Sequence, residues 1–133
     1  MEKESTSIAP WLTVANSQKA ASYYQEAFGA IETYRLETPD GGLVLKLSVG
    51  GAEFWVSGQS GDADFQDTQP ENLGGDSIKM VLTVDNPDEV FFQALQAGGK
   101  EIFPVSEDYG WRLGRLEDPF GLHWEVGKPL KEI

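Results

Sequence analysis

The sequence predicts an α+β fold made of two tandem βαβββ modules within one domain. Three observations lead to this prediction: a helix-start signal that occurs twice, glycines that end both helices, and β-prone segments separated by turn residues after each helix. The length of 133 residues is that of one ordinary domain with its own core. We therefore expect a single domain that contains an internal repeat.

The first half of the chain reads as strand, helix and three further strands. The segment from Ser7 to Val14 is β-prone, and Asn16 is a suitable N-cap for a helix over Ser17 to Phe28, with Gly29 as its stop. Three β-prone segments follow, separated by turns at Pro39 to Gly42 and at Gly50 and Gly51: Ile31 to Glu37, Leu43 to Val49, and Glu53 to Val56.

The second half repeats this order. Asn86 is a predicted N-cap, Pro87 suits the first helical position, and Glu89 completes a capping box, while Gly98 and Gly99 end the helix. Three strand-like segments then follow, with turns at Asp108 to Gly110 and at Asp118 to Gly121: Lys100 to Val105, Trp111 to Leu116, and Leu122 to Val126.

The two halves align at an offset of 86 − 16 = 70 residues, which places Thr13-Val14-Ala15-Asn16 against Thr83-Val84-Asp85-Asn86. We predict one domain over residues 1–133, with module one at about 7–58, a polar linker at about 59–76 and module two at about 77–128. Asp62, Asp64 and Asp67 of the linker suggest a calcium loop, but the glycine and the closing glutamate of such a loop are not in place.

Composition excludes several classes of partner. The formal net charge of −12 disfavours nucleic acid and anionic membranes, and no apolar run is long enough to cross a bilayer. The chain contains no cysteine, and its first residues lack the order of a signal peptide. We expect a cytoplasmic protein that binds neither nucleic acid nor membrane.

The sequence resembles the vicinal oxygen chelate superfamily, which includes glyoxalase I, extradiol dioxygenases and bleomycin-resistance proteins. The segment from Asp118 to Glu125, Asp-Pro-Phe-Gly-Leu-His-Trp-Glu, resembles the closing hairpin of that family, and the segments from Pro10 to Val14 and from Ala20 to Ala30 resemble its opening strand and helix. The resemblance covers nearly the whole chain. It implies curved mixed sheets around a cavity, which is the glyoxalase/bleomycin-resistance fold.

The resemblance also allows a test for a metal site. Metal-dependent members take ligands from the first and last strands of each half, and the corresponding positions here are Ala9, Trp55, Lys79 and Glu125. Only Glu125 carries a group that suits a divalent ion, so we expect no metal and no cofactor. His123 shares a strand face with Glu125, but two ligands would bind a metal weakly. If the opening and closing strands pair, Lys79 would lie beside Glu125 in place of the metal and keep it ionised.

Strand alternation predicts a cavity face that mixes aromatic and polar side chains, opposite an apolar face packed under the helices. When it is enclosed, a face of this composition is typical of small-molecule pockets. The solvent-exposed side of an open sheet, or a dimer interface, would have a similar composition. The strand around Tyr109 could add a rim to the pocket. The candidate ligand-binding residues are Trp11, Trp55, Lys79, Tyr109, Trp111, Arg112, His123 and Glu125, with Glu125 also the candidate catalytic residue.

The leading functional hypothesis is a metal-independent protein of the bleomycin-resistance type that binds, and so sequesters, a small aromatic or cationic compound. The alternative is a glyoxalase-superfamily lyase, isomerase or dioxygenase with a divergent or absent metal site, or one that uses Glu125 as a general base. A third possibility is an interaction protein whose open face is buried against a partner. The resemblance implies a homodimer.

Overall fold

A computed structural model describes residues 7–59 and 78–130. The predicted linker lies outside these ranges, apart from its first residue, and so do Asp62, Asp64 and Asp67, the residues considered for a calcium loop. The first half contains β1 (Trp11–Asn16), α1 (Ser17–Phe28), β2 (Ile31–Glu37), β3 (Gly42–Val49) and β4 (Ala52–Gln59). These strands form a mixed sheet in the order β1-β4-β3-β2, in which only the β1–β4 pair is parallel.

The second half repeats this topology with β5 (Lys79–Thr83), α2 (Pro87–Gln96), β6 (Lys100–Asp108), β7 (Trp111–Glu117) and β8 (His123–Pro129). The sheet order is β5-β8-β7-β6, again with one parallel pair, β5–β8. The predicted α+β fold with two βαβββ modules is confirmed. β1 starts four residues later and ends two residues later than predicted, and β8 starts after Leu122 and continues to Pro129. β4 and β6 each continue three residues beyond their predicted ends, to Gln59 and Asp108.

Both predicted helix starts are confirmed by the side chains that cap them. The Asn16 side chain accepts a hydrogen bond from the backbone N–H of Lys19 at 2.9 Å, and Asn86 accepts one from the N–H of Glu89 at 3.2 Å. Gly29 ends α1 with φ = 72°, a left-handed conformation that favours glycine. The second helix ends at Gln96, slightly before its predicted glycine stop. Within the described residues, neither helix is long and apolar enough to span a membrane.

The two halves share one core, which lies on the helix-facing sides of both sheets. Trp124 of β8 is 3% exposed, and its ring centroid is 4.6 Å from that of Phe28 in α1 and 5.7 Å from that of Phe54 in β4. Tyr24 of α1 is fully buried and also contacts the Trp124 ring. The inner faces of both sheets therefore meet around Trp124.

A buried polar network joins the halves at the same place. The Oδ2 atom of Asp118 accepts hydrogen bonds from the Tyr24 hydroxyl at 2.6 Å and from Trp124 Nε1 at 2.8 Å, while Oδ1 accepts from the backbone N–H groups of Phe120 and Leu122. All four donors satisfy a carboxylate that is only 3% exposed. The Asp-Pro-Phe-Gly turn is thus fixed from within the core.

Because both inner faces point into the shared core, the other face of each sheet points away from it. We call these outer surfaces the first open face, on β1 to β4, and the second open face, on β5 to β8. Trp11 and Trp55 lie on the first open face, whereas Lys79 and Glu125 lie on the second. The candidate residues are therefore divided between two sides of one chain.

Candidate functional site

The second open face brings together a carboxylate and two cations on three neighbouring strands. Lys79 Nζ on β5 donates to Glu125 Oε2 on β8 at 2.9 Å. Arg115 on β7, which lies directly across from Glu125 in the sheet, donates to the same oxygen from Nη2 at 2.7 Å and from Nε at 3.2 Å. The predicted approach of Lys79 to Glu125 is thus present, and a second cation accompanies it.

These contacts determine the charge of Glu125. Burial by itself raises the pKa of this carboxyl, but the hydrogen bonds and positive charges of Lys79 and Arg115 outweigh burial and hold the pKa below its ordinary value. Glu125 is therefore an ionised carboxylate, and the two positive charges of Lys79 and Arg115 exceed its single negative charge.

Arg115 was not among the residues selected from the sequence, whereas Arg112 was. Arg112 lies on the opposite side of β7, where its guanidinium donates two hydrogen bonds to Asp88 of α2, at 2.6 and 2.7 Å. Residues three apart on a strand face opposite ways. The pairing of Arg115 with Glu125 could have been found by counting across the predicted β7–β8 hairpin.

A cavity of about 370 Å³ opens on the second open face. It contains two predicted aromatic residues, Trp111 and the 95% exposed Tyr109, which has a positive φ of 51° at the tip of the β6–β7 hairpin. The cavity is lined by Phe103, Ser106, Asp108, Tyr109, Trp111, Leu113 and Glu125. An aromatic wall with a few polar groups is typical of a small-molecule pocket.

His123 lies across from Lys79 in the β5–β8 pair and on the same face as Glu125, two residues away. Its Nδ1 atom is buried, and no group in the described part of the chain forms a hydrogen bond with it. A buried nitrogen without a partner is uncommon in proteins, so this ring retains a free hydrogen-bonding position beside the ion pair.

The first open face is aromatic. Trp11 and Trp55 stack with their centroids 5.8 Å apart, Tyr34 packs edge-on against Trp55, and Lys46 Nζ lies 5.0 Å from the centroid of the Trp55 ring. Trp11 remains 54% exposed although its Nε1 donates to Ser57. This face holds two of the predicted ligand-binding residues, Trp11 and Trp55.

The donor set does not fit the metal site that the family resemblance implies. Of the four corresponding positions, Ala9 and Trp55 offer no ligand atom, and the Lys79 ammonium donates to the one carboxylate, Glu125. Across residues 7–59 and 78–130, no three histidine, aspartate or glutamate side chains converge on one point. A divalent ion would have to displace Lys79 and Arg115 from Glu125, and of the four corresponding positions it would gain Glu125 as its one ligand.

Comparison with known proteins extends the family resemblance. No protein-family model matches the sequence. The uncharacterized protein Mb0911c of Mycobacterium bovis is 32% identical over 129 residues, which span 95% of this chain and 85% of the relative. TioX from Micromonospora sp. ML1 has a similar structure, with a TM-score of 0.71 at 19% identity over 95% of this chain and all of that one.

A glyoxalase/bleomycin resistance protein/dioxygenase family enzyme from Burkholderia phytofirmans PsJN superimposes with a TM-score of 0.65 at 19% identity, covering 90% of this chain and 95% of that one. Because 90% of this chain is covered, the matched part includes both modules. The chain therefore belongs to the same family as the mycobacterial protein, and its fold is the glyoxalase/bleomycin-resistance/dioxygenase fold.

Proposed function

We propose that the protein is a cytoplasmic, metal-independent binding protein for a small aromatic compound. One observation carries the proposal: Glu125, at the position of the family's acidic metal ligand, is already hydrogen-bonded to Lys79 and Arg115 and forms part of an aromatic cavity. Flat rings in the wall supply contact area, and the polar groups orient the ligand.

The same contacts disfavour the enzymatic alternative. A general base works best when its pKa lies near the working pH, and Lys79 and Arg115 hold the pKa of Glu125 below its ordinary value. A lyase, isomerase or dioxygenase of this superfamily would need a divergent metal site, for which Glu125 and the neighbouring His123 would have to suffice. Two ligands are fewer than a catalytic site usually requires.

Of the two ligand classes that the sequence suggested, the aromatic one has the stronger support. Phe103, Tyr109 and Trp111 line the cavity, whereas a cationic ligand would meet Lys79 and Arg115 beside Glu125. The guanidinium of Arg115 also lies 5.6 Å from the Phe103 ring, which keeps that ring close to the charged groups.

We also propose that the protein acts as a homodimer in which the first open face of one chain covers the second open face of another. Trp11 and Val81 are 54% and 60% exposed, and Tyr34 and Leu36 are each 47% exposed. Exposed apolar surface of this kind is typical of interfaces. Such an assembly would close the cavity that is open in one chain.

The test is a metal analysis of the purified protein together with calorimetric titration of Zn²⁺, Ni²⁺, Mn²⁺ and Fe²⁺. We expect no stoichiometric ion and no tight binding. An aromatic compound library is then screened by tryptophan fluorescence, and we expect saturable binding without added metal. Tight binding of one ion per chain, or turnover that depends on added metal, would replace this proposal with the enzymatic one.

A further inference from the structure

We propose that the cavity on the second open face recognises an aromatic compound that carries an acidic group, and that Lys79 and Arg115 bind the acid. This inference rests on the proposed binding function and adds the charge of the ligand to it. It follows from the number of hydrogen-bond donors at the polar end of the cavity, the local charge, and the position of the aromatic wall.

The donors at this end outnumber the acceptors. Lys79 has three N–H groups and Arg115 has five. Their contacts in the described part of the chain use one N–H of Lys79 and two of Arg115, all directed to Glu125 Oε2. The Arg115 Nη1 group and two ammonium protons of Lys79 remain available. Lys79 and Arg115 are 43% and 27% exposed at the side chain, so a ligand can reach both.

The local charge is opposite in sign to that of the whole protein. Two cations beside one carboxylate leave an excess of one positive charge, whereas the chain carries a formal net charge of −12. Glu125 accepts from both cations and so holds them side by side, which is the arrangement that an oxyanion with two acceptor oxygens requires.

The aromatic wall begins next to this charged end. Phe103 lies across from Arg115 on the neighbouring strand and contacts its guanidinium, and Trp111 lies four residues before Arg115 in β7, roughly 13 Å away. Asp108, the other carboxylate in the cavity wall, is paired with Trp111 and so lies at the far end. Glu117, two residues from Arg115 on the same face of β7, is not part of the cavity wall, so Glu125 is the carboxylate of the wall that lies nearest to Arg115.

The experiment compares three probes with one ring system and different head groups: 2-naphthoate, 2-naphthylmethanol and 2-naphthylmethylammonium. Binding to the intact protein is measured by calorimetry at low and moderate salt. We expect 2-naphthoate to bind at least tenfold more tightly than the other two, and its advantage to shrink as salt is raised.

Two arginines on one strand provide a matched pair of variants. Arg115→Gln removes a cation that is hydrogen-bonded to Glu125 of the cavity wall, and Arg112→Gln removes one from the helix side of the same strand. We expect Arg115→Gln to weaken 2-naphthoate about tenfold while 2-naphthylmethanol is unchanged, and Arg112→Gln to leave both affinities as they are. If Arg115→Gln does not fold, Lys79→Gln replaces it, with the same expected selectivity.

The possible outcomes separate the two proposals. If all three probes bind equally, or the ammonium binds best, the cavity is a binding site but acid recognition is wrong. If the carboxylate preference survives both Arg115→Gln and Lys79→Gln, these residues are not its source and the inference fails. If no probe binds, both the acid recognition and the proposed binding function are refuted.

Discussion

The two open faces are built on the same backbone plan but carry opposite chemistry. At the closing strand, Trp55 in the first half corresponds to Glu125 in the second, 125 − 55 = 70 residues later. Each has a cation directly across from it on the preceding strand: Lys46 lies over the Trp55 ring, and Arg115 is hydrogen-bonded to Glu125. A cation–aromatic pair in one half is thus replaced by a cation–carboxylate pair in the other.

This difference indicates how a repeated fold can divide its roles. The backbone fixes which positions meet on a face, and the side chains at those positions decide whether the face packs or binds. The second half also differs at its last turn, where Asp118 is buried, whereas the first half has Gly50 and Gly51 between the corresponding strands. The buried carboxylate of Asp118 and the ion-pair cluster around Glu125 therefore both lie in module two.

The largest effect should come from the buried carboxylate that only the second half contains. Replacing Asp118→Ala leaves four hydrogen-bond donors without their acceptor, among them the Tyr24 hydroxyl and Trp124 Nε1. We expect the free energy of unfolding to fall by about 3 kcal/mol or more, as measured by urea denaturation. The control is Asp40→Ala in an exposed turn of the first half, for which we expect little change. Equal losses at both sites would contradict the assigned role of Asp118.

A smaller loss of stability should result from replacing Arg115 than from replacing Asp118, and a still smaller one from replacing Lys46, the cation at the equivalent place in the first half. Arg115→Leu removes two hydrogen bonds from a carboxylate that is only 14% exposed, and we expect a loss of about 1–2 kcal/mol, reduced because Arg115 itself is partly exposed. Lys46→Leu removes a cation–π contact and an ion pair with the more exposed Glu53, and we expect a loss below about 1 kcal/mol. Unfolding curves of the two variants at neutral pH measure the difference. The reverse ranking would mean that the aromatic face, rather than the ion pair, stabilises the sheet.

The pKa of Glu125 should depend on the cations of the second half and not on those of the first. Lys79→Met should raise the pKa of Glu125, because one of the two cations that lower it is lost, and Lys46→Met should leave it unchanged. The side-chain carboxyl resonance of Glu125, followed by NMR against pH, measures this directly. An identical titration in the wild type and Lys79→Met would refute the proposed role of Lys79.

The same pair predicts a pH dependence of stability. A carboxyl whose pKa is lowered in the folded state stabilises the fold above its unfolded pKa, and this contribution is lost as the pH falls through the folded value. The stability difference between the wild type and Lys79→Met should therefore be largest near neutral pH and should shrink below about pH 4.3. A difference that stays constant down to acid pH would indicate lost packing instead of lost charge pairing.

The smallest effect on the stability of the folded chain should come from the first open face. Trp11→Ala removes a half-exposed ring that stacks on Trp55, and we expect a loss within about 1 kcal/mol when measured at a concentration where the chain is monomeric. The same variant should weaken the proposed dimer, which sedimentation equilibrium would detect. Phe92→Ala, at an exposed position of α2 outside both open faces, serves as the comparison. A dimer unaffected by Trp11→Ala would remove this face from the interface.

Much of the fold was predictable because its signals are local. Asn16, Asn86 and Gly29 set helix ends through their own backbone and side-chain chemistry, and each was identified from the sequence. The position of Lys79 beside Glu125 followed from pairing the opening and closing strands of one half. These predictions needed no knowledge of how the halves pack together.

The features that were missed depend on longer-range geometry. Leu113 and Leu116 lie three residues apart on β7, so the apolar pattern alone does not fix which face of the strand is buried. For this reason the sequence did not identify Arg115 as the residue of β7 that pairs with Glu125. The Tyr24–Asp118 hydrogen bond joins residues 94 positions apart, and no local signal marks it. The roles of the other candidate residues remain predictions for the experiments above.

The burial of Trp124 gives the protein two kinds of optical reporter. Of the four tryptophans, Trp124 alone lies in the shared core, at 3% exposure, whereas Trp11, Trp55 and Trp111 lie on the open faces and contact solvent to different degrees. A buried indole emits at shorter wavelength than a hydrated one, so the blue edge of the emission should follow separation of the two halves. The red edge should follow events at the open faces, and a single spectrum can therefore separate loss of the core from occupation of a face.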